Sequence, residues 1–120
     1  MRIFVADDNE IVRRGVVGIL SSEPKWEVCG EAPNGVEALQ RTQELLPDLV
    51  LLDISMPGIG GLDVARHLRL TLPKTKIIVM SQHDPVYLRA RVIEAGADAC
   101  LDKGLLASQL LATIKNLMEP

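Results

Sequence analysis

The chain of 120 residues is long enough for one domain with a single buried core. Its net charge of -3 and its 2% of aromatic residues argue against direct binding of nucleic acid, which relies on positive charge and base stacking. No apolar run approaches the roughly 20 residues that span a bilayer. The charged residues between Asp7 and Arg14 exclude a signal peptide at the N-terminus. We therefore expect a cytoplasmic protein with no membrane partner.

Short apolar segments alternate with amphipathic segments from one end of the chain to the other. The predicted strands cover about residues 2–6, 26–32, 49–53, 76–80 and 98–101. The predicted helices cover about residues 10–21, 34–46, 61–72, 86–95 and 105–118. Asp8 or Asn9 can cap the first helix. The apolar positions of the second helix are Val36, Leu39, Leu45 and Leu46.

This alternation predicts an α/β fold, because strands separated by helices form a parallel sheet that is covered on both faces. Five strands and five helices suit a doubly wound, flavodoxin-like sheet of order 2-1-3-4-5, flanked by five helices. Two cysteines, Cys29 and Cys100, lie far apart without metal-ligand spacing, so we predict buried, reduced thiols.

Polar side chains follow four of the predicted strands. Asp7 and Asp8 end the first strand, and Asp53 ends the third, which should be its neighbour in the sheet. Ser81 ends the fourth strand and Lys103 follows the fifth. Three carboxylates at one sheet edge need raised pKa values or a cation, and Mg²⁺ is the natural ion for oxygen ligands. With an ammonium and a hydroxyl nearby, this set suits the transfer of a phosphoryl group to a carboxylate.

These motifs resemble the receiver domain of bacterial two-component response regulators, from Arg2 to about Leu117. The matching segments are Asp7-Asp8, residues 53–58, Met80-Ser81 and Lys103. Within the family, the sequence is most similar to receivers that precede a helix-turn-helix DNA-binding output domain. The resemblance implies a single receiver domain over residues 1–120, with no output domain in this chain. DNA contact and transcription regulation would then occur only through an output domain.

The resemblance also implies a role for each site residue. Asp53 would be the phosphoacceptor, receiving a phosphoryl group from a sensor histidine kinase. Asp8, Asp53 and the backbone carbonyl of Ser55 would ligate Mg²⁺, and Asp7 would act through a metal-bound water. Lys103 would pair with the phosphoryl oxygens. Ser81 would donate to them in the activated domain. Such a receiver is not an enzyme with a separate substrate, although it catalyses its own phosphorylation and dephosphorylation.

The sequence departs from the family pattern at Cys100, where an aromatic residue usually lies three positions before the lysine. Either the conformational switch is muted, or it works through the loop between strand 4 and helix 4 alone. His83, two positions beyond Ser81, is close enough in sequence either to tune the phosphoryl lifetime or to be an ordinary surface histidine.

Two other functions compete with the phosphoacceptor switch. A receiver-like module that binds proteins without phosphorylation is the alternative, which Cys100 favours and the complete acidic set disfavours. A phosphatase of related topology would need an acid two residues after the aspartate, where Ser55 lies. The paired leucines at positions 105–106 and 110–111 indicate either core packing or a surface for a homodimer or another partner.

Overall fold

The computed structural model of the protein describes residues 1–82 and 85–119, with Pro85 described by its backbone alone. The strands are β1 (Arg2–Ala6), β2 (Glu27–Ala32), β3 (Leu49–Asp53), β4 (Lys76–Ser81) and β5 (Ala99–Asp102). The helices are α1 (Glu10–Leu20), α2 (Gly35–Leu45), α3 (Gly61–Thr71), α4 (Pro85–Glu94) and α5 (Leu106–Met118), with a 3-10 turn at Lys103–Leu105. Every predicted element is present, and its ends differ from the prediction by about one residue.

The five strands form one parallel sheet in the order β2-β1-β3-β4-β5. The predicted fold class and strand order are therefore confirmed. Because β3 lies beside β1, the chain reverses its direction of progress across the sheet between these two strands. In such sheets the crevice at this reversal, beyond the carboxyl ends of the strands, is where ligands bind.

Alternate residues of the buried strands face two separate apolar cores. In β3, Leu49 and Leu51 pack on the side of α1 and α5, whereas Val50 and Leu52 pack on the side of α2, α3 and α4. All five residues of β3 are buried, including its last residue, Asp53. Both faces of β3 are therefore covered by helices, as is usual for a central strand of a parallel sheet.

Two of the four apolar residues of the predicted second helix, Val36 and Leu46, are exposed and not in the core. Leu46 ends α2 in the left-handed conformation, with φ of 50°, and is 61% exposed. Val36 is also exposed, whereas Leu39 and Leu45 pack against the core. Pro47 follows directly, so the chain leaves the helix here rather than adding another apolar turn.

The two cysteines are free thiols, as predicted, but they are only partly buried. Both pack against the core on the side of α2, α3 and α4. Burial raises the pKa of the Cys29 thiol and that of the Cys100 thiol, so both favour the protonated form.

None of the helices in the described part of the chain has the length and apolar character needed to cross a membrane.

Gly61, the first residue of α3, packs directly on the end of β3. A side chain there would overlap the backbone carbonyl of Asp53. We expect Gly61→Ala to lower the free energy of unfolding by about 2 kcal/mol or more, because neither backbone segment can yield without moving the other. Urea denaturation measures this change.

Gly15 is the matched control, since it lies in the interior of α1 with nothing near the place of a Cβ. Gly15→Ala should raise the free energy of unfolding by about 0.5–1 kcal/mol through helix propensity. Equal effects of the two substitutions would contradict the packing argument for Gly61.

Candidate functional site

Asp53 ends β3 as a buried carboxylate, with only 3% of the residue exposed. Its Oδ1 accepts a hydrogen bond from the backbone N–H of Ser55 at 3.2 Å. The same oxygen lies 3.2 Å from Nζ of Lys103. One oxygen of Asp53 is therefore held from two directions, by the loop that follows β3 and by the turn that follows β5.

Asp7 lies one residue beyond β1 and is fully buried. Its Oδ1 accepts a hydrogen bond from the backbone N–H of Asn9 at 2.9 Å, and its Oδ2 lies 2.9 Å from Nζ of Lys103. That ion pair is close but poorly directed, because Asp7 Oδ2 makes no well-angled hydrogen bond with any described residue. A buried carboxylate oxygen with unused acceptor capacity is available to a further cation or to water.

Asp8 is the exposed member of the acidic set. The choice between Asp8 and Asn9 as the cap of α1 is decided for Asn9, whose Oδ1 accepts from the backbone N–H groups of Ile11 and Val12. The Asp8 carboxylate is therefore not used by the helix. It lines a cleft of about 220 Å³ instead, together with other polar side chains: Asn9, Asp53, Ser55, Gln82 and Lys103.

Asp7, Asp8 and Asp53 can each place a carboxylate oxygen within 4.8 Å of the others. Three ionised carboxylates and the one ammonium of Lys103 sum to a charge of -2 on these four side chains. Oxygen donors that converge around excess negative charge fit a hard divalent cation. The unused acceptor capacity of Asp7 Oδ2 and the access from the cleft support the same conclusion. The acidic site can therefore hold a metal ion.

The pKa of the Asp53 carboxyl is raised to about 6. Burial is the largest cause, since it disfavours the charged form. The hydrogen bond from Ser55 opposes the increase, whereas hydrogen bonding with Asp8 and the charge of Asp7 add to it, and the charge of Lys103 lowers it. Without a metal ion, burial and the neighbouring carboxylates together disfavour the ionised form of Asp53.

Lys103 stays positively charged in this environment, although its side chain is only 9% exposed. Burial alone would lower the pKa of Lys103, but the close contacts with Asp7 and Asp53 outweigh burial and leave the pKa raised. The 3-10 turn that begins at Lys103 is capped by Asp102, whose Oδ1 accepts from the N–H of Gly104 at 2.8 Å. This turn fixes the backbone from which the lysine reaches across to β1 and β3.

The remaining predicted site residues lie at the same sheet edge. Ser81 is buried at the end of β4, and the neighbouring Met80 carbonyl accepts from the N–H of Ile54 at 2.9 Å. Ser55 is exposed in the loop after β3 and lines the cleft. His83 lies outside the described residues. Gln82 also lines the cleft, and no motif in the sequence singled it out beforehand.

A parallel sheet with buried carboxylates and a lysine at its carboxyl edge belongs to the class of doubly wound α/β domains that bind ligands at that edge. Comparison with known proteins identifies the family within this class. The sequence model of the response regulator receiver domain family matches residues 3–115, so the chain belongs to this family. The predicted resemblance to receivers is confirmed.

Two curated relatives show the extent of the similarity. The chain is 34% identical over 115 residues to the response regulator GacA of Pseudomonas viridiflava, covering 96% of this chain and 54% of that protein. It is 33% identical over 115 residues to the transcriptional regulatory protein DegU of Brevibacillus brevis, and the match covers 96% of this chain and 49% of that protein. The chain thus spans about half the length of the curated relatives it matches.

A solved structure agrees with this assignment. The signal receiver domain of the response regulator NarL from Mycobacterium tuberculosis superimposes with a TM-score of 0.90 and 33% identity. The match covers 97% of this chain and 94% of that one. Both the sheet order and the helix placement are therefore those of a receiver.

The raised pKa of Asp53 makes a prediction about stability and pH. The folded chain binds the Asp53 proton more tightly than the unfolded chain, so this group lowers stability as the pH rises from about 4 through about 6. At about pH 7.5 without divalent ions, Asp53→Asn should raise the free energy of unfolding by about 1–3 kcal/mol. Urea denaturation of both proteins measures the difference.

The same comparison at about pH 4 is the control, because the Asp53 carboxyl is then protonated in the folded chain and the gain should fall below about 1 kcal/mol. A gain that is independent of pH, or a loss of stability at neutral pH, would contradict the penalty on the ionised Asp53 carboxylate.

Proposed function

We propose that the protein is a phosphoacceptor switch of a two-component system, in which Asp53 receives a phosphoryl group from a sensor histidine kinase with the help of Mg²⁺. The observation that carries the proposal is the position of the Lys103 ammonium, 2.9 Å from Asp7 and 3.2 Å from Asp53. Membership in the receiver family supports the same function.

In the proposed reaction, a carboxylate oxygen of Asp53 attacks phosphorus in line. The bond from phosphorus to the donor histidine nitrogen breaks, and the nitrogen keeps the electron pair. Lys103 neutralises phosphoryl oxygens as they enter the cleft. Ser81 offers a hydroxyl at the end of the adjacent strand. The rigid strand ends hold these groups in place before the donor arrives, which is the main source of rate in phosphoryl transfer.

The proposed ligands of Mg²⁺ are Asp8, Asp53 and the backbone carbonyl of Ser55, with Asp7 acting through water. Bound Mg²⁺ supplies positive charge against the phosphoryl oxygens. The charge of -2 on the side chains of Asp7, Asp8, Asp53 and Lys103 favours the binding of the ion at this site. Asp7 is fully buried and already faces Lys103, which suits an indirect contact better than a direct one.

The wider role of the protein is proposed from its relatives. DegU is a transcriptional regulatory protein by name, and GacA is a response regulator. We propose that residues 1–120 act as one receiver unit in the cytoplasm, where free thiols stay reduced. Transcription would then be regulated through a DNA-binding output domain that these residues do not contain. A homodimer is a further proposed partner, supported by the 45% exposure of Leu105 beside the buried Leu106.

A protein-binding module that works without phosphorylation is the second candidate. It is favoured by Cys100, which is partly buried on β5 where many receivers have an aromatic side chain. A smaller side chain transmits less conformational change from the site to the surface. The two candidates differ in one measurable respect, which is whether Asp53 accepts a phosphoryl group.

Incubation with acetyl phosphate and Mg²⁺ should give a single phosphoryl adduct by intact-protein mass spectrometry, and hydroxylamine should remove it because an acyl phosphate is labile. Omission of Mg²⁺ should slow the reaction strongly. Asp53→Asn should give no adduct, and Lys103→Gln should react roughly 100-fold more slowly because a preorganised charge is lost. The exposed Lys115, which pairs with Glu23, provides the matched control Lys115→Gln.

Absence of an adduct on the unmodified protein, or an adduct that survives Asp53→Asn, would overturn the phosphoacceptor proposal. The first of these outcomes would favour the module that binds proteins without phosphorylation.

A further inference from the structure

Arg13 lies in α1 but contacts the backbone at the acidic site. Its side chain is 16% exposed, and its Nη1 donates a hydrogen bond to the backbone carbonyl of Asp7 at 2.7 Å. Its Nε donates to Oε1 of Glu31 at 3.1 Å, near the end of β2. The guanidinium fork therefore connects α1 to the ends of two neighbouring strands.

The carbonyl that Arg13 holds lies beyond the regular sheet. The pairing of β1 with both neighbouring strands ends at Ala6, so the Asp7 carbonyl has no place in the ladder. The Asp7 N–H still reaches the carbonyl of Ala32 at 3.0 Å. A buried carbonyl needs a partner, and a charged donor forms a strong hydrogen bond with it.

Three contacts together immobilise Asp7: the bond of its N–H to Ala32, the bond of its carbonyl to Arg13 and the bond of its Oδ1 to the N–H of Asn9. The next peptide leads to Asp8, whose side chain is exposed. The position of the Asp8 carboxylate therefore depends on how firmly the preceding peptide is held.

We propose that Arg13 is a positioning residue, which fixes the peptide between Asp7 and Asp8 and so sets the affinity of the acidic site for a divalent cation. The inference rests on the proposed function, because it concerns the same site. Arg13 itself contacts the backbone of the site and none of its carboxylates.

A positioning role and a purely electrostatic role predict opposite results. Arg13 is a cation near a cation site, so by charge alone its removal would strengthen the binding of Mg²⁺. If Arg13 holds the peptide in place, its removal weakens binding, because Asp8 then samples positions away from Asp7 and Asp53. The sign of the change separates the two roles.

Arg14 offers a matched control in the adjacent position. Its side chain is 76% exposed, and its guanidinium pairs with Glu10 on the same helix. Arg14→Gln removes the same charge from the same turn without touching the strand ends.

The experiment titrates Mg²⁺ into the unmodified protein, Arg13→Gln and Arg14→Gln by isothermal titration calorimetry. Arg13→Gln should bind Mg²⁺ about tenfold more weakly, the loss typical of contacts that orient metal ligands. Arg14→Gln should stay within about twofold of the unmodified protein, since its charge is solvated and screened. Equal affinities for the two variants, or tighter binding by Arg13→Gln, would overturn the inference.

Arg13→Lys keeps the charge but replaces the two-pronged fork by one ammonium, so it should fall between Arg13→Gln and the unmodified protein. This variant also decides the matter if Arg13→Gln does not fold, because unchanged affinity in a folded Arg13→Lys would contradict a role of the fork. Urea denaturation of each variant establishes that it is folded.

Kinetics gives a second measure that a general loss of stability would not reproduce. With acetyl phosphate as donor, the half-saturating Mg²⁺ concentration of Arg13→Gln should rise about tenfold, while the rate at saturating Mg²⁺ stays near that of the unmodified protein. If the unmodified protein binds no Mg²⁺, both the proposed function and this inference fail. If it binds Mg²⁺ normally and Arg13 makes no difference, only this inference fails.

Discussion

The ammonium of Lys103 between Asp7 and Asp53 is the contact on which the site depends. It lies 2.9 Å from one carboxylate and 3.2 Å from the other, and these groups come from the ends of β1, β3 and β5. A buried charge that loses its partner is strongly destabilising, so each carboxylate relies on this lysine in the absence of a metal ion. One ammonium cannot balance three carboxylates, and burial, together with the neighbouring carboxylates, raises the pKa of Asp53.

The sheet tolerates the excess negative charge because the buried apolar residues of the strands hold the carboxylates in place. Every residue of β3 is buried, and its side chains alternate between two cores. The start of α3 packs so closely on Asp53 that only glycine fits at position 61. Apolar burial therefore determines where Asp53 lies. The charge left in excess is available to bind a cation.

Much of this arrangement could be predicted from the sequence, because strand order and strand ends determine which side chains meet. Asp7, Asp53 and Lys103 follow apolar runs, and adjacency in the sheet brings them together. Features that depend on side-chain reach were not predictable in this way. Arg13 looks like any charged residue of an amphipathic helix, and only the folded chain shows that its guanidinium reaches the Asp7 carbonyl. The exposure of Leu46 is another such feature, because it follows from the left-handed end of α2 and not from the apolar character of the residue.

Cys100 bears on how phosphorylation would be transmitted to the surface. Its thiol packs against the core beside α2, α3 and α4, and it is much smaller than the aromatic side chain found there in many receivers. Because Ser81 is buried one strand away in the sheet and leads along the chain towards α4, the backbone itself connects the site to that helix. If Asp53 is phosphorylated as proposed, a displacement of Ser81 would act on α4 through the connecting chain and would not need a rotating ring on β5. Phosphorylation of Asp53, as proposed, would then be compatible with a cysteine at position 100.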